Sequence, residues 1–391
     1  MSGNQQNETL DRDYFDSIEA AIEDIRMGKI IIVVDDEDRE NEGDFICAAE
    51  RVNPQLINFM ATHGRGLICT PLTAKRCQEL NLPLMARDNT ALHQTAFTVS
   101  IDLKGYGCTT GISAYDRATG IKKLTQPDTH PTDYARPGHI FPLIAKDGGV
   151  LRRSGHTEAA VDLARLAGLY PAGVLVEILN DDGTMARLPN LFKIAKKHDL
   201  KIISIENLIK YRFKKERLVE RKIQVPFKTK WGTFDLIAYK DKTSIGTHLV
   251  FKKGDWKAND PVLVRVHASC ITEDILDSFL EGKGTSLHSA LEQIAREGRG
   301  MLLYIQKESD DALMTKLRAL KLENSPANVE RASSKPNQRE FGIGAQILND
   351  MNVSKMRLIT NNPKRRIGLI GYDLEIVANV AIWDGRETKT K

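Results

Sequence analysis

No apolar run among the 391 residues approaches the ~18 positions that a membrane-spanning helix needs. The first residues, MSGNQQNETLDRDYFDS, also lack the basic-then-apolar order of a signal peptide. A cytoplasmic protein that does not engage a membrane is the expectation. Cysteine is scarce: Cys47, Cys69, Cys77, Cys108 and Cys270 are an odd number with no CxxC pair, which argues against a disulfide framework and against a Cys-rich zinc finger. RNP and KH patterns are missing, and a sequence pI near 8.6 is too mild for a nucleic-acid footprint. There is no internal repeat and no low-complexity tract. What remains is ordinary globular material, 41% hydrophobic and 28% charged. The chain is too long for one core, so two domains of ~200 residues are expected.

The net charge of +4 hides an asymmetry. Up to Phe213 there are 25 Lys and Arg against 29 Asp and Glu, whereas the remainder has 31 against 23. A basic second half suits an anionic ligand.

Local patterns place the elements. Phe15, Ile18, Ile22 and Ile25 lie on one face of a helix that Gly28 stops. KIIIVV (29–34) then reads as a strand buried on both faces. TEAAVDLARLAGLYP (157–171) reads as a helix with Thr157 near its N-cap, followed by a strand GVLVEILN (173–180). RFKKERLVERK forms a charged stretch with little reason to be buried, and the domain boundary is set near Phe213. Beyond it, strands are predicted around Trp231–Tyr239, Thr247–Phe251 and Val262–Val266, and a helix over Leu287–Glu297. ENSPANVERASSKPNQ (323–338) has the composition of a long loop. The fold class expected is α+β or mixed α/β, two domains each with a mixed sheet and packed helices.

Four features of the first half carry chemistry. DDEDRENEGD (35–44) crowds seven carboxylates and one Arg into ten residues directly after a strand. It reads either as a solvated acidic loop or as a site for a hard divalent cation, which relieves the repulsion among carboxylates. In RRSGHTEA (152–159), two arginines precede a turn that enters a helix N-terminus, a place suited to phosphate, with His156 available as a metal ligand. An ordinary basic helix cap is the alternative. Glu177 in VLVEIL has apolar neighbours on both sides, so burial would tune its carboxyl toward acid or base work. His139 in RPGHIFPL is similarly flanked, which fits a satisfied core histidine as well as a functional one.

With DDEDRENEGD, TTGISAYDRAT, RPGHIFPL, RRSGHTEAAVDLARLAG and VEILNDDGTMAR in that order, residues 1–213 resemble 3,4-dihydroxy-2-butanone 4-phosphate synthase. The resemblance implies a lyase that takes ribulose 5-phosphate to a four-carbon phosphate and formate. It implies Mg²⁺ or Mn²⁺ on Glu40 and His156, and substrate held by Arg39, Glu40, Asp44, Glu177 and the turn Arg153, Ser154, Gly155, His156 and Thr157. It makes His139 and Glu177 the residues essential for proton transfer, and a homodimer the expected assembly. Tyr115 stands where a smaller residue or His is expected.

Residues from about Arg221 resemble GTP cyclohydrolase II through TKWGTFDLIAY, VLVRVHASCIT, ALEQIAREGRGMLLYIQ and FGIGAQILNDMNVSKMRLITNNPKR. That family holds zinc on three cysteines spaced C-x10-C-x-C. Here Cys270 is followed by Glu281 and Lys283 at the other two positions, and one thiolate with a lysine cannot make a catalytic zinc site. The phosphate-contacting stretch reads KESDD (307–311), and the general-base Asp is replaced by Asn337, which accepts no proton at neutral pH. Only Arg339 of that element remains. The expectation is a retained fold over 214–391 without zinc or GTP hydrolysis. Three alternatives stay open: a fully bifunctional enzyme, a second domain that keeps some nucleotide binding through Arg265, Thr360 and Arg365, and a non-enzymatic nucleotide-sensing or scaffold protein.

Overall fold

A computed structural model of the chain describes residues 15–36, 39–90, 95–242, 246–268, 286–306, 338–361 and 374–382. Packing divides it into two units, Met1–Arg212 and Phe213–Lys391. Each unit holds a mixed seven-stranded sheet with helices packed on it.

The first unit begins with helix α1 (Ile18–Arg26), capped by the Ser17 hydroxyl, which accepts from the Ala20 N–H at 3.2 Å. Ile18, Ile22 and Ile25 are buried, as their spacing demands. Each contributes roughly 2 kcal/mol of apolar burial. Strand β1 (Ile31–Val34) is buried at all four positions because both its neighbours and the layers above and below cover it. It pairs antiparallel with β2 (Gly43–Ala48) and parallel with β7 (Ile202–Ser204). Between them the chain forms α2 (Pro54–His63), β3 (Cys69–Thr73), α3 (Ala74–Glu79), β4 (Ile101–Leu103), α4 (Ala114–Lys123), β5 (Tyr134–Ala145), α5 (His156–Leu166), β6 (Gly173–Glu177) and α6 (Leu188–His198). The sheet order is β4-β5-β3-β6-β2-β1-β7. Helix α5 is buried along His156–Ala164 and packs across β2, β6 and β3. No described helix is long and apolar enough to cross a membrane.

Three local readings need correction. The helix predicted with Thr157 near its N-cap starts one residue earlier, with Gly155 at the N-cap position and no side-chain cap. The strand expected over 173–180 ends at Glu177, because Ile178 and Leu179 turn away to bond Gly43 and Gly64. The charged stretch after residue 211 is not a solvated linker. Helix α7 (Ile205–Lys215) runs through it, and Arg212, Phe213, Leu218 and Val219 are buried while the lysines face out. The apolar residues, sparse as they are, decide the packing.

In the second unit β8 (Val219–Thr229), β9 (Gly232–Asp241) and β10 (Thr247–Lys253) form an antiparallel meander. β11 (Pro261–Ala268), α8 (Ser286–Glu297), β12 (Gly300–Ile305), α9 (Gln338–Asp350), β13 (Lys355–Ile359) and β14 (Glu375–Val380) complete it. β12, β11, β13 and β14 are parallel, giving the order β14-β13-β11-β12-β10-β9-β8. Phe234, Leu263, Leu291, Ile294 and Leu302 pack together at its centre. Cys270, Glu281, Lys283, residues 307–311, Asn337 and Arg365 lie outside the described residues, as does the predicted loop up to residue 337.

Candidate active site

The acidic segment is the connection between β1 and β2, whose ends pair at Val34 and Gly43. That antiparallel closure folds Asp35, Glu40, Glu42 and Asp44 back over one end of the sheet, while Asp36 stays exposed. Asp35 and Asp44 are almost fully buried, at 6% and 2% exposure. Arg39 neutralises part of the crowd, pairing with Asp35 and, at 2.9 Å, with Glu40 Oε2.

Asp44 lies opposite Glu177 in the β2–β6 ladder. Its Oδ1 is buried without a hydrogen-bond partner among the described residues. Burial pushes its carboxyl well above the usual carboxylate range, and Glu177, Glu42, Glu40 and Asp35 push it the same way. Asp44 is thus a burial-tuned carboxyl directly beside Glu177. Glu177 itself sits at the strand end, half-buried, with the Leu67 N–H donating to its Oε2 at 2.9 Å.

His156 opens helix α5 beneath these acids. Its Nε2 lies 3.1 Å from the Val33 carbonyl oxygen, which can only accept, so Nε2 carries the proton and Nδ1 offers a lone pair. Burial holds its pKa below the usual histidine value, against the pull of Asp35 and Glu40. Nδ1 stands 3.9 Å from Glu40 Oε2 and 3.8 Å from Asp44 Oδ1. One ligand atom each from Asp35, Glu40 and His156 fall within 4.8 Å of one another. Carboxylate oxygens with a neutral imidazole suit Mg²⁺ or Mn²⁺, and the orphaned Asp44 Oδ1 beside them is the kind of atom a cation satisfies.

The same cavity, about 160 Å³, is walled on its other side by Arg153, Thr157, Thr95 and Cys69. Arg153 donates to the buried Glu158 Oε2 at 2.7 Å and to Thr95 Oγ1 at 3.3 Å, so its guanidinium is fixed at the helix N-terminus. Ser154 and Gly155 form the turn that leads into α5. Burial drives the Cys69 thiol far above the usual cysteine range, which makes it a wall and not a nucleophile.

The structure thus gathers Arg39, Glu40, Asp44, Arg153, His156, Thr157 and Glu177 at one cavity. His139 is not among the described lining residues, nor is it a core histidine: its side chain is 46% exposed. Asp102 on β4 accepts from the His139 backbone N–H at 2.8 Å and from its Nδ1 at 2.7 Å. Cys69 pairs with Leu175 on one side and Phe141 on the other, so β3 separates Glu177 from His139 by two strand spacings, roughly 10 Å. Asp102, Asp35, Glu42 and Glu158 escaped the sequence reading. Asp35 and Glu42 were visible within the acidic run but not separable from its other carboxylates, and Asp102 stands alone in its stretch.

Tyr115 does not touch this site. Its hydroxyl donates to the Tyr106 carbonyl at 3.2 Å, and both rings line a larger groove, about 290 Å³, with Lys122 and Lys123. Lys123 is already paired with Asp128, and the groove brings no acid cluster to it.

One glycine is required by the site. A Cβ on Gly66 would lie 2.4 Å from Glu177 Oε2. Gly66→Ala is therefore expected to displace that carboxylate and, because the same Cβ would meet the Glu177 carbonyl oxygen at 2.8 Å, to lower the thermal midpoint as well. An unchanged thermal midpoint in Gly66→Ala would contradict this close approach.

Comparison with known proteins finds a family match for each unit. The family model for 3,4-dihydroxy-2-butanone 4-phosphate synthase matches residues 19–211, and that for GTP cyclohydrolase II matches residues 220–381. The riboflavin biosynthesis protein RibBA of Cytophaga hutchinsonii is 57% identical over 372 residues, covering 94% of this chain and 92% of its own. The RibBA protein of Aquifex aeolicus is 52% identical over 375 residues, with the same coverage. Among solved structures, RibBX of A. baumannii, described as a two-domain 3,4-dihydroxy-2-butanone 4-phosphate synthase, superposes with a TM-score of 0.76 at 41% identity, covering 94% of this chain and 100% of its own. A 3,4-dihydroxy-2-butanone 4-phosphate synthase in complex with two magnesium ions is 43% identical with a TM-score of 0.50, covering 51% of this chain and 98% of its own. The chain belongs to the family of riboflavin biosynthesis proteins in which a 3,4-dihydroxy-2-butanone 4-phosphate synthase domain is fused to a GTP cyclohydrolase II domain.

Proposed function

We propose that residues 1–213 form a Mg²⁺- or Mn²⁺-dependent lyase that converts D-ribulose 5-phosphate to L-3,4-dihydroxy-2-butanone 4-phosphate and formate, and that residues 214–391 have lost GTP hydrolysis. The observation that carries the first part is the cavity in which neutral His156 Nδ1, Glu40 and the orphaned Asp44 Oδ1 face the Arg153 turn. The metal-holding residues are Glu40 and His156, with Asp35 beside them. The bound ion supplies Lewis-acid polarisation of neighbouring substrate oxygens. Everything else falls to the chain. Arg153 and the turn to Thr157 bind the phosphate, while Arg39 and Asp44 hold hydroxyls. Glu177, fixed by the Leu67 N–H, and His139 carry the proton transfers. Asp102 occupies His139 Nδ1, which leaves Nε2 as the atom that exchanges protons.

The loss of the second activity is supported by ligand arithmetic in the sequence. Cys270 remains, Glu281 and Lys283 stand where thiolates are needed, and Asn337 removes the base independently. The name RibBA on the curated relatives and the cyclohydrolase model over residues 220–381 favour the opposing, bifunctional reading. Elemental analysis of the purified chain with a formate assay on GTP separates the two. We expect no stoichiometric zinc and no formate from GTP. One zinc per chain with GTP ring opening establishes the bifunctional enzyme.

A homodimer in the cytoplasm is the assembly we propose, with a small sugar phosphate as ligand and neither nucleic acid nor membrane as partner. Tyr106, Ile112 and Tyr115, between 49% and 59% exposed along one loop and helix, are apolar surface that a second copy could cover. Light scattering is expected to give twice the monomer mass. A monomer at micromolar concentration contradicts it.

A further inference from the structure

The loop Lys146–Gly155, which delivers Arg153 and the phosphate-binding turn, is held from behind by charges that do not face the cavity. Asp162 and Arg212 are 3% and 4% exposed. Arg212 Nη1 donates to Asp162 Oδ2 at 2.7 Å and to the Gly148 carbonyl at 2.8 Å. Asp162 Oδ2 also accepts from the Val150 N–H at 2.8 Å. A single carboxylate oxygen and a single guanidinium nitrogen thus tie two backbone groups of the loop to helices α5 and α7. The fit is close: a Cβ on Gly149 would lie 2.2 Å from Asp162 Oδ2. One turn earlier on α5, Glu158 accepts from the Lys146 N–H at 3.0 Å through Oε1 and from Arg153 Nη1 at 2.7 Å through Oε2.

These bonds run in series. Glu158 and Asp162 are four residues apart on α5 and so share one face. Glu158 fixes the start of the loop and the Arg153 head group, while Asp162 with Arg212 fixes its middle. Arg152 and Arg153 then bond back to the Gly149 carbonyl at 2.8 and 3.1 Å, so the position of residues 148–150 sets that of Arg153.

We propose that Asp162 and Arg212 are positioning residues for phosphate binding, a buried brace that holds the loop at the height where Arg153 and the turn to Thr157 meet the phosphate. This rests on the reading that the Arg153–Thr157 turn takes the phosphate of ribulose 5-phosphate. Because the brace touches no group at the reacting centre, its loss is read as a loss of uniform binding, which raises KM and leaves kcat in place.

The test uses the full chain with Mg²⁺ and compares wild type with Arg212→Met, Arg212→Lys and the double variant Asp162→Asn with Arg212→Met. Steady-state kinetics on ribulose 5-phosphate are combined with calorimetric titration of inorganic phosphate. Arg212→Met is expected to raise KM and weaken phosphate binding by about tenfold or more, within the range that a ~1 Å misplacement produces, while kcat stays within about threefold. Arg212→Lys keeps a cation with several donors and is expected to restore most of the affinity. If Arg212→Met does not fold, the double variant, which removes both charges together, is read by the same criterion. The brace is overturned if a folded variant keeps the wild-type KM and phosphate affinity, if kcat falls with KM unchanged, or if the lysine variant behaves like the methionine one. A wild-type chain that binds phosphate but does not turn over ribulose 5-phosphate contradicts the functional reading alone, and the phosphate titrations then decide the brace. Wild-type chain that binds no phosphate overturns both.

Discussion

Glu177→Gln and His139→Asn are each expected to lower turnover of ribulose 5-phosphate by at least ~100-fold with the fold intact, the usual loss when a general acid or base is removed. Each substitution preserves a local bond, and His139→Asn gives up the ring bond to Asp102. The amide introduced by Glu177→Gln keeps an oxygen for the Leu67 N–H, and His139→Asn leaves the backbone bond to Asp102 in place. What disappears is the capacity to take and return a proton. The two residues belong to different environments, one half-buried on β6 and one exposed on β5 with its Nδ1 held by Asp102. Loss from both variants therefore argues for two proton-transfer positions and not for one disturbed pocket. Circular dichroism and thermal midpoints like wild type establish that the fold survives, and near-normal rates in both variants would show the roles to be misassigned.

Removing the divalent cation is expected to abolish turnover altogether. Excess chelator should leave no measurable formate, and Mg²⁺ or Mn²⁺ should restore it. Without a cation, the cavity holds Glu40, Glu42, Asp44 and Glu177 against Arg39 and Arg153, and burial already drives the Asp44 carboxyl toward its neutral form. Such a site repels a phosphate dianion and offers nothing strong enough to polarise a ketone. Glu40→Gln is expected to act in the same direction by weakening the cation's hold, so activity returns only at raised Mg²⁺. Turnover that is indifferent to chelator would sink this part of the account.

Much of this site was legible because its chemistry is concentrated in short runs. The acids of 35–44, the RRSGHT turn and the VLVEIL strand each offer a functional reading in their own residues, the first two beside a plain structural one, and β1 and α1 announce themselves by apolar spacing. What could not be read is whatever depends on register. Asp44 and Glu177 are 133 positions apart, and only the β2–β6 pairing makes them neighbours and puts the deeper burial on Asp44. The apolar neighbours of His139 fit a core histidine as well as a functional one, and the strand presents it to solvent beside Asp102, 37 residues away. Gly66 has no local signature at all, since its need for a missing side chain arises from the Glu177 carboxylate lying against it. At the start of the second unit, charge density misled: Phe213, Leu218 and Val219 are buried within a charged stretch that gives little reason for burial, while its lysines stay exposed.

The central claim is that one chain, through one metal-dependent cavity, cuts a five-carbon sugar phosphate into a four-carbon phosphate and formate. The most direct test is a product balance by carbon-13 NMR on the purified full-length chain, given uniformly labelled ribulose 5-phosphate with Mg²⁺ and, in parallel, with chelator. The account predicts one formate and one 3,4-dihydroxy-2-butanone 4-phosphate for each substrate consumed with Mg²⁺, and unchanged substrate with chelator. Intact ribulose 5-phosphate in the Mg²⁺ sample, or formate formed equally in both, would contradict it.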